Sequence, residues 1–120
     1  MTPVQEDPDV VPAAVERLRQ WGGDALVREM SAIFFEDAPK RLAAARAGVS
    51  AGDPAAVVRA MHALKSSAGQ LGAARAQRVC NLAEQQARAG DLAGLATSID
   101  EIAQALNRFH TWLVTTAPAD

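Results

Sequence analysis

The chain has 120 residues and a formal net charge of −2, from 12 Lys and Arg against 14 Asp and Glu. This length allows one compact domain with a modest core, and the weak net charge gives no field that would recruit nucleic acid. Hydrophobic residues make up 49% of the chain but aromatic residues only 4%, with no Tyr, so the composition favours helices over strands.

The chain begins with a predicted flexible lead over residues 1–11, which is acidic and contains prolines. Such a segment is unlike a signal peptide, and no apolar run approaches the roughly 20 residues that span a bilayer, so we expect a cytoplasmic protein without membrane contact. A short helix should begin at Pro12, because the N–H that proline lacks has no partner at the first helical position. Gly22 and Gly23 then end this helix.

A longer helix is predicted from about Asp24 to Ala47, where apolar residues recur at helical spacing. Those residues are Leu26, Met30, Ile33, Phe34, Leu42 and Ala45. Proline removes a helical hydrogen bond and crowds the preceding turn, so Pro39 predicts a kink or break near Asp37. Residues 48–52, which begin and end with glycine, form a clear stop.

The third predicted helix has the strongest start signal. Asp53 can cap it with a carboxylate and Pro54 suits the first helical position, and the helix should reach about Gly69. One side of this helix is apolar, in steps of four and three residues: Val57, Met61, Leu64 and Ala68. Gly72 marks a turn, and a further helix is predicted over residues 73–89.

The last predicted helix follows Gly90, with Asp91 as a possible cap, and carries the clearest apolar seam. Its members are Leu95, Ile99, Ile102, Leu106, Phe109 and Leu113. Amphipathic helices with short connections predict an all-α fold: an antiparallel up-and-down four-helix bundle over residues 12–114, with the short first helix across one end. Because the seam is used inside the bundle, we expect a monomer, with a flexible tail over residues 115–120.

His62 lies opposite the apolar side of the third helix. At about 100° per residue it points roughly 140° from the centre of that side, and should therefore face solvent. Arg59 and Lys65 lie one turn away on either side and can bring positive charge towards the imidazole. The same face holds small and apolar residues: Ala55, Val58, Ser66 and Gly69. An unprotonated imidazole nitrogen is a competent nucleophile near neutral pH, and phosphoryl transfer depends mainly on positioning and charge neutralisation.

The segment that begins at His62, HALKSSAGQLGA, resembles the signature of histidine phosphotransfer (Hpt) domains. That signature has a His, then Leu-Lys, two or three small residues and a Leu-Gly-Ala turn. The similarity extends over about residues 26–113 and includes these flanking positions: Phe34, Pro39, Leu42, Gly52, Asp53, Cys80, Glu84, Arg88, Gly90 and Asp91. The resemblance implies that His62 is the phosphorylated residue of a phosphoryl carrier, with no nucleotide site and no kinase activity of its own.

The resemblance also implies the partners, which are receiver domains of response regulators and a hybrid sensor histidine kinase. A receiver that bears a phospho-aspartate would dock over the helix of His62. The Mg²⁺ needed would be held by the receiver's carboxylates, because this chain has no acidic cluster near His62 and binds no cofactor itself. The predicted partner-binding residues are Ala55, Val58, Arg59, Ser66, Gly69 and Gln70.

The resemblance also implies roles for Lys65 and Glu84. In the family, the residue at the Lys65 position lies near the phosphoryl group, and a polar residue at the Glu84 position commonly hydrogen-bonds the imidazole. The apolar side of the helix that carries Glu84 consists of Val79, Cys80, Ala83 and Ala87. Glu84 is therefore expected at the edge of that side, within reach of a neighbouring helix. Our hypothesis is that it holds Nδ1–H of His62 and leaves Nε2 as the nucleophile, and the alternative is a surface glutamate.

Three other positions need an interpretation. Ser66 stands where many members of the family have Gly, and because Ser is still small, docking should survive. Cys80 falls in an apolar helical pattern, and we expect a small buried hydrophobe rather than a catalytic thiol. His110 follows a core position and has no Leu-Lys after it, so we expect a surface or boundary residue.

Two alternative functions remain open. One is an adaptor that keeps the helical bundle and binds signalling partners without the chemistry. The other is the dimerising, phosphoaccepting domain of a sensor kinase. In such domains an acidic residue usually follows the His, where this chain has Ala63, and no residues remain to build an ATP-binding domain. A metal site is not predicted, because the two His and one Cys of the chain are not spaced in the way that metal ligands usually are.

Overall fold

A computed structural model of the chain describes residues 9–116, which form four α-helices and no strand. The second helix packs against the first and third, and the fourth packs against the third and, more sparsely, against the first. The prediction of an all-helical fold is confirmed. The helices are α1 (Pro12–Ser50), α2 (Pro54–Leu71), α3 (Ala74–Arg88) and α4 (Leu95–Thr116).

The first two predicted helices both lie within α1, and a kink at two glycines separates them. Gly22 has φ −143° and ψ 16°, and Gly23 has φ 68° and ψ −168°. A φ of 68° lies in the left-handed region that glycine enters without steric cost. The predicted end of the short helix therefore coincides with two non-helical residues, after which the helix resumes at once.

The predicted break near Asp37 is wrong. Pro39 lies inside α1, and none of the residues around it departs from helical dihedrals. Pro39 is exposed, so the carbonyl of Phe35 that loses its helical partner can be solvated. On the opposite side Phe34 and Ala38 are 5% and 3% exposed and belong to the core.

All the apolar residues that the spacing predicted in α2 and α4 are buried in the core, together with residues of α1 and α3. In α1 the outcome is mixed. Phe34 is buried, whereas its neighbour Ile33 is 60% exposed. Adjacent helical residues point about 100° apart, and here Phe34 takes the core side while Ile33 faces solvent. Val27 is buried nearer the start of α1, and Leu26 is only partly covered.

The connection between α1 and α2 is tight. α1 ends at Ser50, within the stop predicted at residues 48–52. Gly48 is buried, and a Cβ built on it would lie 2.9 Å from Cγ2 of Val57, so its missing side chain allows the two helices to approach closely. The predicted cap of α2 is confirmed, since the Asp53 carboxylate accepts a hydrogen bond from the backbone N–H of Ala56 at 3.2 Å.

The turn between α2 and α3 is closed by the segment that precedes α1. Gly72 ends α2 with φ 81°, and its carbonyl accepts a hydrogen bond from the N–H of Val11 at 2.8 Å. Val10 is buried beside them, and the N–H of Arg75 donates to the carbonyl of Asp9 at 3.1 Å. The last residues of the predicted lead are therefore packed against this turn.

The remaining parts of the predicted lead and tail, residues 1–8 and 117–120, lie outside the described residues. Thr115, also in the predicted tail, belongs to α4, and its hydroxyl donates to the carbonyl of Thr111 at 2.8 Å. Among the helices of residues 9–116, none combines the length and the apolar character needed to cross a bilayer.

Replacing Gly72 by Ala is expected to lower the free energy of unfolding by about 2 kcal/mol or more. The positive φ costs about 1–2 kcal/mol for an L-residue, and the new Cβ would press on the carbonyl of Val11 and lie 2.9 Å from Cβ of Ala14. Gly52→Ala is the matched control, because Gly52 has φ 64° with no atom within 4 Å of its Cβ position. Urea unfolding measures both variants, and equal losses would contradict the role of the Val11 contact.

Candidate functional site

Helix α2 holds His62 on its exposed side. Met61 and Leu64 are 0% and 1% exposed and anchor α2 in the core, and the intervening His62 side chain is 64% exposed. Arg59 and Ser66, one turn away on either side, are also exposed. The imidazole therefore projects into solvent from a rigid helix, as the spacing predicts.

Helix α3 brings Glu84 beneath this imidazole. Glu84 is 5% exposed and is the one buried charged residue in the part of the chain that the structure describes. Its Oε1 lies 3.4 Å from Nδ1 of His62 and 2.8 Å from Nζ of Lys65. The three residues singled out from the sequence thus meet at one point, although Glu84 is more deeply buried than a position at the edge of the apolar side suggests.

Two residues of α3 that the sequence reasoning did not select complete the cluster. The second oxygen of Glu84, Oε2, accepts from Nη2 of Arg88 at 2.8 Å and from Nε at 3.2 Å. Lys65 donates to Oδ1 of Asn81 at 3.4 Å. Arg88 stands four residues after Glu84 on the same helix, a spacing that favours ion pairs and could have suggested this contact.

The cluster keeps Glu84 ionised. The ammonium of Lys65 and then the guanidinium of Arg88 lower the pKa of Glu84 from 4.5 to about 2, against the opposing effect of burial, and His62 adds a smaller contribution in the same direction. An anionic carboxylate only accepts hydrogen bonds, so it favours the imidazole tautomer that carries its proton on Nδ1. That tautomer leaves the lone pair of Nε2 free.

The predicted partner-binding residues lie along both flanks of α2. On one flank Ala55, Val58 and Arg59 line an open depression that reaches α3 at Ala87 and Arg88. Its floor is apolar and its rim carries two guanidinium groups. This flank therefore offers a partner an apolar contact bordered by positive charge.

On the other flank, Gln70 lines a second depression between α2 and α1. The exposed side chain of Ile33 lies at the same place, and adds apolar surface beyond that predicted from α2. Gly69 is partly covered, and a Cβ on it would collide with the side-chain amide of Gln77 on α3. That amide is the flexible end of an exposed side chain and can turn aside, so the contact does not require glycine at this position. Ser66 and Gln70 are exposed, and the partner-binding role of all three residues stays a prediction.

The two other residues with possible chemistry lie outside this cluster. Cys80 is fully buried in the core, and burial raises the pKa of its thiol to about 12, so it is a buried hydrophobe with little thiolate. His110 is exposed on α4 and makes an edge-on contact with Phe35, with ring centroids 4.7 Å apart. Within residues 9–116, no group of three or more His, Cys, Asp or Glu side chains is arranged to hold a metal ion.

Comparisons with known proteins bear on the family and the fold. A model of the Hpt domain family matches residues 29–112. The fold is similar to the crystal structure of histidine-containing phosphotransfer protein B from Pseudomonas aeruginosa PAO1. That similarity has a TM-score of 0.78 and 24% sequence identity, over 88% of this chain and 95% of the other. No curated protein matches the chain. The chain belongs to the Hpt domain family, whose proteins carry phosphoryl groups on histidine in phosphorelays with receiver domains and kinases.

Proposed function

We propose that His62 accepts a phosphoryl group from the phospho-aspartate of one receiver domain and passes it to the aspartate of another. The observation that carries this proposal is an exposed imidazole whose Nδ1 lies 3.4 Å from a buried carboxylate. That contact orients the ring and leaves Nε2 directed to solvent, where a partner can reach it. The function is a carrier role, without ATP binding or kinase activity.

The transfer needs little covalent work from the protein. The lone pair of Nε2 forms a bond to phosphorus as the bond between phosphorus and the aspartate oxygen breaks, and the leaving carboxylate keeps that electron pair. Nδ1 retains its proton, so the phosphorylated ring gains a positive charge that the Glu84 carboxylate offsets. Lys65, whose side chain is 25% exposed, is proposed to offset charge on the phosphoryl oxygens. The same steps in reverse deliver the group to the second receiver.

The docking surface is proposed to extend over both flanks of α2. A receiver would bury the depression around Val58 and Arg59 on one side and the surface around Ile33 and Gln70 on the other, with His62 between them. Cations outnumber carboxylates along α2 and α3, which suits an anionic, phosphorylated partner. The Mg²⁺ is proposed to be held by the receiver, because Glu84 is already engaged by two cations.

The scaffold is proposed to be an antiparallel up-and-down bundle, with the segment before Gly22 as its extra N-terminal helix. The support is the direction of the contacts between helices. Further along one helix of a pair, the contacting residues of the other helix come earlier in the chain, as they do in antiparallel helices. The contacts are Arg46–Asp100 and Phe35–Phe109 between α1 and α4, and Lys65–Asn81 and His62–Glu84 between α2 and α3. The monomeric state and the cytoplasmic location stay predictions from the sequence.

The test of the proposal is a transfer assay with receiver domains phosphorylated on aspartate with labelled phosphate. We expect the wild-type protein, with Mg²⁺, to take up label that is labile in acid and stable in base, as phosphohistidine is. Adding an unlabelled second receiver should then remove the label from the protein. A folded protein that binds receivers from a broad panel but takes no label from any of them would contradict the carrier role and support the adaptor.

A further inference from the structure

We infer that Arg88 is a positioning residue for phosphotransfer at His62, acting through Glu84. This inference rests on the proposed function, because it concerns the reactivity of the same imidazole. Arg88 does not touch His62. It holds one oxygen of the Glu84 carboxylate, and by doing so directs the other oxygen towards Nδ1 of His62.

The geometry gives the two oxygens of Glu84 different partners. Oε2 receives two donors of the same guanidinium, Nη2 of Arg88 at 2.8 Å and Nε at 3.2 Å. Oε1 faces Lys65 at 2.8 Å and Nδ1 of His62 at 3.4 Å. The terminal torsion of a glutamate is broad and nearly two-fold, so the carboxylate needs an external contact to fix its plane. Two donors of the Arg88 guanidinium hold Oε2 in one position, and with it the plane of the carboxylate.

Lys65 cannot perform this task alone. Its ammonium is a compact charge on a flexible stem, and it binds either oxygen of a carboxylate without fixing the plane. It also contacts Oδ1 of Asn81, which offers it a second position away from His62. Without Arg88, both oxygens of Glu84 become available to Lys65. The contact between Glu84 and His62 is longer than those between Glu84 and the two cations, and is therefore the first to be lost when the carboxylate turns.

The position of Arg88 at the surface makes this role separable from packing. Its side chain is 59% exposed, whereas the carboxylate that it holds is 7% exposed. Truncating Arg88 therefore opens no cavity in the core and leaves Glu84 in its buried setting beside Lys65. The expected consequence is a change in the orientation and tautomer of the imidazole rather than a loss of the fold.

The experiment compares Arg88→Met and Arg88→Lys with wild type. A small phosphodonor, phosphoramidate, labels His62 without any docked protein, and ¹⁵N chemical shifts of the imidazole report its tautomer. For Arg88→Met we expect the labelling rate to fall on the order of tenfold. The population with a proton on Nε2 should rise at the same time. Arg88→Lys should recover part of the rate.

Arg46→Met is the matched control. Arg46 forms an exposed ion pair with Asp100 between α1 and α4 at 2.8 Å, and it is away from His62. We expect its labelling rate and imidazole spectrum to equal those of wild type.

The outcomes distinguish this inference from the proposed function. If wild type takes label but Arg88→Met matches it in labelling rate and ¹⁵N spectrum, the inference is overturned and the proposed function stands. The inference is likewise overturned if Arg88→Met slows only transfer from a receiver, because Arg88 would then act in docking. If wild-type His62 takes no label from phosphoramidate or from any receiver, the proposed function fails and the inference fails with it.

Discussion

Replacing His62 by Gln is expected to abolish phosphoryl acceptance from every donor. A glutamine amide has a similar reach, but its nitrogen lone pair is delocalised and cannot attack phosphorus. The His62 side chain is 64% exposed, so the fold should be unaffected, with a change in unfolding free energy within about 0.5 kcal/mol. The measurement is incorporation of label from a phosphorylated receiver and from phosphoramidate, together with a urea unfolding curve.

His110→Gln is the control for this prediction, because His110 is the other histidine of the chain and is exposed on α4. We expect it to take up label at the wild-type rate. Loss of label in His110→Gln with retention in His62→Gln would assign the phosphorylated residue to α4 and remove the basis of the proposed site.

The second large effect is expected from Glu84→Gln. The amide keeps the shape of the side chain but removes the charge that offsets the phosphorylated ring, so phosphotransfer should slow on the order of tenfold. A folded-state pKa of about 2 against an ordinary 4.5 corresponds to about 3 kcal/mol of net stabilisation of the ionised carboxylate, after the cost of its burial is subtracted. At neutral pH the variant should lose about this much stability. Transfer rates and urea unfolding at neutral pH measure the two effects.

The stability difference should depend on pH with a definite sign. Folding lowers the pKa of Glu84, so its contribution to the unfolding free energy is complete above the unfolded value of about 4.5. The contribution declines as the pH falls from there and is nearly lost by about pH 2, where the carboxylate is half protonated in the folded state and fully protonated in the unfolded state. Wild type and Glu84→Gln should therefore converge in acid. A gap that stays constant between neutral pH and about pH 3 would show that the charge of Glu84 is not its cause.

Asp100→Asn is the control for both measurements, the phosphotransfer rate and the stability as a function of pH. Asp100 also pairs with an arginine, but its side chain is 61% exposed. Exposed pairs of this kind contribute only about 0–1 kcal/mol, so the variant should be nearly as stable as wild type at every pH and should transfer phosphate normally. A loss as large as that of Glu84→Gln would mean that burial is not what makes the Glu84 cluster strong.

The sequence by itself determined the helices, their apolar sides and the exposed histidine. These features depend on residues near one another in the chain. Because Met61 and Leu64 both face the core, His62 must point outward, and the Asp53 carboxylate caps α2 through a contact three residues away. Because helical periodicity and capping are local, they can be read without knowing what packs against the helix.

Sequence patterns predicted the wrong structure at positions where packing against another part of the chain matters more than the neighbouring residues. Pro39 carries a strong signal for a break, yet α1 continues through it with its opposite side in the core. Ile33 fits an apolar pattern but lies on the exposed side. In the predicted lead, Val10 is buried and the backbone N–H of Val11 bonds to the turn between α2 and α3, and no nearby residue gives a signal for either contact.

The chemistry of the site was decided by the tertiary structure. The resemblance to Hpt domains pointed to His62, Lys65 and Glu84, but the burial of Glu84 and the division of its two oxygens between different cations depend on how α2 and α3 face each other. The lowered pKa of Glu84, and the role inferred for Arg88, follow from that arrangement. Charges interact strongly only when they lie within a few ångströms of each other and are shielded from water. The spacing of residues along one helix specifies neither their distance to another helix nor how much water remains between the two helices.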